Sequence, residues 1–235
     1  MPMTAAHPLA VLPLRRTSLD WTCLVIGSMS PDFEYFLRVK LASSISHTWL
    51  GLLVFCLPVT LASAWLFHRL IKRPFVHVVP AGIGARLAAS ADRPWQLTWG
   101  CVAAALVGAV THDLWDGLTH YEMWGPQHIA WLREIVHVPG LGAMVRCRVL
   151  QHGSTVIGLL ALAIFTWRAL ARMQPQPRAP ATLGMRIVWI ACIAVVGVAC
   201  YARIHWSHET DPGSIVVAVI DAGLFGSLLA SLITR

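Results

Sequence analysis

The stretch "WQLTWGCVAAALVGAVTHDLWDGLTH", residues 95–120, decides how this chain folds. Most of it is apolar, yet it closes on His112, Asp113, Asp116 and His120. About 20 apolar residues at ~1.5 Å rise per residue cover the roughly 30 Å of a bilayer core, so the run reads as a membrane-crossing helix. Two acids and two histidines at the end of such a helix are costly to desolvate unless something pairs them. Their partners must come from elsewhere in the chain.

The rest of the sequence is of the same kind. Hydrophobic residues make up 57% and charged residues 12%, and the mean hydropathy is +0.64. The apolar residues come in long blocks rather than short amphipathic runs, which is the mark of an integral membrane protein. Residues 49–71, 95–118, 149–170, 185–204 and 214–234 read as five spans. Residues 19–29 are apolar but too short to cross before Pro31, and are expected as a buried or re-entrant helix. The expected architecture is an all-α polytopic bundle forming one membrane domain over residues 1–235. Short helices within 1–48 carry His7 and Asp32, and a Pro-rich loop covers 172–184.

Composition narrows the function. The net charge of +7 sits in loop arginines, where anionic lipid accounts for it, and no stripe of basic and aromatic residues points to nucleic acid. Several of the 11 tryptophans stand at span ends, as interfacial anchors do. The six cysteines include no C-x-x-C pair and mostly lie in apolar segments, so they read as small hydrophobes without a disulfide framework. The segment "MPMTAAHPLAVLPLRR" lacks a positive start and a small-residue cleavage site, and no processing is expected. Residues 69–94 and 168–186 read as basic loops, placed in the cytoplasm by the positive-inside tendency, while "HWSHETDPG", residues 205–213, lies on the opposite side.

With five spans alternating in direction, the polar groups gather. His47 opens the first span, the cluster at 112–120 closes the second, and His152 opens the third, all on one membrane face with His7 and Asp32 before them. On a helix, positions i, i+4 and i+8 share a side, so His112, Asp116 and His120 form one ridge with Asp113 about 100° around it. Imidazole and carboxylate on one ridge can bind the same divalent cation: zinc first, with manganese or iron also suited. Simpler roles exist for single residues. Asp32 follows Ser30 and Pro31, where an acid complements a helix N-terminus. His152 could bond a carbonyl, and Asp113 could orient a histidine instead of binding metal. His68, His77, His128 and His137 read as interfacial. Asp221, midway along the last span, is either a partner for another buried group or a site of its own.

The segments "MTAAHPLAVLPL", "LVIGSMSPDFEYFL", "SHTWLG", "GAVTHDLWDGLTH" and "VLQHGSTVIG", in this order, resemble a bacterial integral-membrane family of unknown function. More distantly they resemble membrane-bound metal-dependent hydrolases and the zinc-dependent phospholipase C and single-strand nuclease superfamily. That last resemblance implies three metals: Asp32, His47, His112 and Asp116 share one, Asp116 bridges to a second held with His7, and His120 and His152 bind a third. The superfamily also uses a leading Trp and a Glu one turn after the last His; this chain begins Met-Pro and has Val156 there.

The expected function is hydrolysis of a phosphoester in a membrane lipid or lipid-linked substrate, with Asp113 or Asp32 as base, in the bacterial inner membrane with the site on the extracytoplasmic face. A non-catalytic membrane protein with a structural metal or polar cluster, and a metal or proton carrier, are the alternatives.

Overall fold

The computed structural model describes residues 3–207 and 211–234. Glu209, which the sequence places in an acidic loop, lies outside the described residues. In chain order the elements are α1 (Pro8–Val11), α2 (Trp21–Gly27), α3 (Phe33–Arg38), α4 (Trp49–Val78), α5 (Ala81–Ala91), α6 (Trp99–Thr119), α7 (Trp124–His128), α8 (Ala130–Arg133), β1 (Ile135–Val138), β2 (Gly142–Val145), α9 (Arg146–Arg172), α10 (Leu183–Trp206) and α11 (Pro212–Ile233).

Among the described residues, four helices, α4, α9, α10 and α11, are long and apolar enough to cross a membrane. By length and composition this is a membrane protein, nearly all helical. The remaining expected span forms as the 21-residue helix α6 but is not one of those four, because His112, Asp113 and Asp116 lower its apolar average. One other expectation needs correction. Residues 69–94 are helical rather than loop: α4 continues to Val78, and α5 follows after the break at Pro80. A π-helical turn, Phe67–Ile71, stands just before Pro74, where a missing N–H would otherwise interrupt the ladder. Residues 135–145 form a hairpin, with Val138 opposite Gly142. Its turn needs left-handed backbone at Gly140 (φ 80°) and Gly142 (φ 82°), which glycine adopts without Cβ cost.

The chain forms two compact units. The first comprises Met1–Pro31, Ile45–Leu61 and Leu97–Trp167. Its central contact is α2 on α6, and small residues set it. A Cβ on Gly27 would lie 2.6 Å from the Ala105 carbonyl oxygen, and one on Gly108 would lie 2.6 Å from both the Leu24 carbonyl oxygen and the Ser28 nitrogen. With Ala104 and Ala105 also buried, the two backbones touch, as small residues permit in apolar surroundings. Asp20 caps α2, its Oδ1 accepting from the Cys23 N–H at 2.8 Å. The N-terminal segment docks on α9: the Met3 N–H donates to Thr155 Oγ1 at 3.1 Å, and Ala6 packs where Gly158 leaves room.

The second unit comprises Asp32–Ser44, Ala62–Gln96 and Arg168–Arg235. It is built on the antiparallel pair α10 and α11, which approach closely where a Cβ on Gly226 would meet Ile193 Cα at 2.6 Å. Trp189, Cys192 and Ala230 form one core cluster, and Cys200, Ile204 and Ala218 another. Arg86 donates to the Leu170 and Ala171 carbonyls in the last turn of α9, both at 3.3 Å, and to Met173 O just beyond it at 2.9 Å, supplying partners those groups lack within the helix. Asp221 is fully buried on α11, and among the described residues neither carboxylate oxygen has a hydrogen-bond partner.

Candidate metal centre

Each ligand of the first unit is held by a local device. Pro8 stands at the first position of α1 and fixes the chain direction just after His7. Thr48 caps α4, accepting from the Gly51 N–H at 2.9 Å. This sets His47 immediately before the helix, with Ser46 Oγ 3.1 Å from its Nδ1. The π-helical turn Leu52–Cys56 follows, and Leu52 and Cys56 pack on Ala109 of α6. His112 and Asp116 lie one turn apart on α6 and are both buried.

These residues converge on the Asp116 carboxylate. Oδ2 lies 3.3 Å from His112 Nε2 and 3.9 Å from His47 Nε2. Oδ1 lies 3.6 Å from His7 Nε2 and 3.6 Å from His120 Nδ1. Each oxygen therefore faces its own pair of histidines. The His7 and His112 rings stack with centroids 3.7 Å apart and planes at 17°, and the His47 ring is 5.4 Å from that of His112. One ligand atom each of His47, His112 and Asp116 falls within 4.8 Å of the other two. Asp32, also buried, is the first residue of the second unit.

The tautomers follow from the partners. His112 Nδ1 is 2.9 Å from the Ser28 carbonyl oxygen; a carbonyl only accepts, so Nδ1 carries the proton and donates. The neutral ring then turns the Nε2 lone pair towards Asp116, an arrangement that asks for a proton or a cation between them. Protonating both stacked rings would bring two cations within van der Waals distance, which Coulomb repulsion opposes in a buried site. A divalent cation meets the same need with neutral imidazoles. The donors are imidazole nitrogens and carboxylate oxygens, a set that fits such an ion.

Not every expected residue sits at this point. His120 remains in reach of Asp116 although it closes α6, but its Nδ1 is 3.1 Å from the Asp116 carbonyl oxygen, and its Nε2 meets Gln151 Nε2 at 3.4 Å. His152 is exposed, and its buried neighbour Gln151 meets His120 instead. Asp113 is half-buried beside His112. Ser30 does not cap α3: its hydroxyl donates to the Gly27 carbonyl at 2.9 Å, and the Asp32 side chain makes no capping bond either. Three other histidines have ordinary partners. His68 stacks on Trp95, His77 Nδ1 is 3.1 Å from Ala179 O, and His128 Nδ1 is 2.8 Å from Trp124 O. The sequence reading missed Ser28, Gln151 and the Trp115 indole that donates to Ser154 Oγ at 3.2 Å. Gln151 stands inside the quoted "VLQHGS" motif, whereas a backbone acceptor such as Ser28 O leaves no side-chain signal.

The chain belongs to the family described as a domain of unknown function (DUF4184), whose model matches residues 1–232. No curated protein and no solved structure matches it.

Proposed function

We propose that this member of a family of unknown function is a membrane-bound metal-dependent hydrolase acting on a phosphoester of a lipid or lipid-linked substrate. The observation that carries the reading is the Asp116 carboxylate, buried, with each oxygen turned to a different pair of histidines. His7, His47, His112 and Asp116, with Asp32, would hold a divalent cation, zinc first and manganese or iron by the same donors. Such a cation, when bound, supplies a water of lowered pKa and polarises a phosphoryl oxygen. Asp113 would take the proton from that water, or Asp32 if it is not itself a ligand. The Ser28 carbonyl orients His112, and burial of the ligands excludes bulk water.

A cavity of about 100 Å³ lined by Ala6, His7, Leu9, Ala10, Trp115 and Ser154 supports a lipid substrate. Its walls are apolar apart from His7 and Ser154, so an acyl segment could fill it beside a ligand of the centre. A second reading, a structural metal staple, is favoured by depth: His112 is 0% and Asp116 1% exposed, and a closed site needs no open position.

Metal content, melting temperature in detergent and hydrolysis of a broad panel of phospholipids and phosphodiesters, measured on one preparation, separate the two. In the hydrolase, Asp113→Asn should cut turnover on the order of 10²-fold or more while metal content stays within about 2-fold. A wild type that holds metal, loses several degrees on chelation and hydrolyses nothing in the panel would be the staple.

We also place the chain in the bacterial inner membrane with the centre on the extracytoplasmic face, on the strength of the two basic segments. Cysteine reporters near Arg73 and Arg178 should then label from the cytoplasm and one near Glu209 from outside. The reverse pattern would move the centre to the cytoplasmic face.

A further inference from the structure

A second group of metal-ligating side chains stands at the other end of α6. Asp20, Cys23 and Cys101 each bring one ligand atom within 4.8 Å of the other two. Cys23 is 0% and Cys101 1% exposed, and Asp20 is half-buried. From Cys101 to Asp116 is fifteen residues along one helix, about 22 Å at ~1.5 Å each, so the two groups cannot share an ion.

The geometry comes from two helix starts meeting. Cys23 is the third residue of α2 and Cys101 the third of α6. The Asp20 N–H reaches the Gly100 carbonyl at 3.4 Å, holding the two starts together. Asp20 Oδ1 accepts from the Cys23 N–H, and one oxygen of the same carboxylate lies within 4.8 Å of both sulfurs. Thr98, the residue before α6, places its Oγ1 3.5 Å from Cys101 Sγ. Two sulfurs, a carboxylate oxygen and a hydroxyl within reach make the donor set of a tetrahedral site, with thiolate the preferred donor for zinc-like ions. A bound cation would take the place of both thiol protons, which pass to solvent.

We propose that Asp20, Cys23 and Cys101 hold a thiophilic divalent cation of the zinc class that staples the start of α2 to the start of α6. The staple has a consequence for the first centre. A seven-residue helix such as α2 is too short to be stable alone, and its end supplies the Ser28 carbonyl that orients His112. Fixing its start fixes that carbonyl. The proposal does not depend on the hydrolase reading, because His7, His47, His112 and Asp116 include no sulfur.

Cobalt(II) titration of the full-length chain, stripped of metal under reductant in detergent, is the test. Thiolate ligation gives a sulfur-to-cobalt charge-transfer absorption in the near ultraviolet that imidazole and carboxylate do not give. The expected result is one such band with the intensity of a single thiolate-bound cobalt per chain, retained in Asp116→Asn and lost in Cys23→Ser and in Cys101→Ser. Asp20→Asn keeps the helix cap, since asparagine caps as well, but should weaken cobalt binding roughly 10-fold or more. Absence of the band in the wild type overturns the proposal whatever the variants do. So does a band that survives both cysteine substitutions, since it would then come from Cys56, Cys147, Cys192 or Cys200. Peptide mapping that finds Cys23 and Cys101 joined as a disulfide in freshly purified protein overturns it as well.

Discussion

Asp116→Asn is expected to empty the His/Asp centre, lowering metal content at least ~10-fold relative to wild type, because it removes the anionic ligand on which the other groups converge. The carboxylate is buried and its oxygens lie 3.3 to 3.9 Å from nitrogens of His112, His7, His120 and His47. An amide of the same size presents one oxygen and one NH₂, and the NH₂ has no lone pair to give a cation, so one side of the centre loses its oxygen ligand. The cation then loses its counter-charge, and the protein loses stability of about 3–5 kcal/mol, the range for removing one partner from a buried charged group. Elemental analysis and thermal melting of the same detergent preparation read both effects. Asp113→Asn is the control, since it leaves all of those contacts in place. Wild-type metal content in Asp116→Asn would sink the centre as drawn.

Gly108→Val is expected to be the most damaging single change away from the ligands. Replacing a mid-helix glycine ordinarily gains up to ~1 kcal/mol by restricting the unfolded chain and improving helix propensity. Here the added Cβ would lie 2.6 Å from Leu24 O and Ser28 N, and 2.8 Å from Gly27 C. All three are backbone atoms, which cannot swing aside, so α2 must move off α6. Overpacking of this kind costs about 1–3 kcal/mol and more when backbone has to yield, so the clash outweighs the propensity gain. The displacement carries the Ser28 carbonyl from His112 and Cys23 from Cys101, so metal binding at both ends of α6 should fall together. Gly117→Ala, on the same helix with nothing within 4 Å of its added Cβ, should melt at or above the wild-type temperature. If Gly108→Val melts with wild type, the close crossing of α2 and α6 is wrong.

The helices were legible because the signal for them is local. Length and hydropathy alone mark α4, α9, α10 and α11, and the apolar run at 19–29 was correctly too short for more than a buried helix, since α2 spans Trp21–Gly27 with Cys23, Leu24 and Gly27 buried. The fifth expected span shows the limit of that signal: α6 forms at full length, but its apolar average is lowered by the residues that give it chemistry. The basic charge of residues 69–94 reads as loop, although the alanines and leucine of 81–91 favour a helix once Pro80 has ended α4. The hairpin at 135–145 had its sign in Gly140 and Gly142, between β-branched residues.

For the centre, the ridge was legible in the chain's own periodicity. Helical periodicity puts His112 and Asp116 side by side on any α-helix, and they are 3.3 Å apart. What meets that ridge depends on how the helices pack. The rotation of α9 about its own axis turns Gln151, and not His152, towards His120; adjacent residues on a helix point about 100° apart, and nothing local chooses between them. The packing of Ala6 against Gly158 and the bond from Trp115 to Ser154 choose. The cysteines read as isolated small hydrophobes because neither lies near the other in sequence. What brings Cys23 to Cys101, and the Ser28 carbonyl to His112, is the contact of two backbones at Gly27 and Gly108, and a residue without a side chain announces such a contact only through the surface it is pressed against.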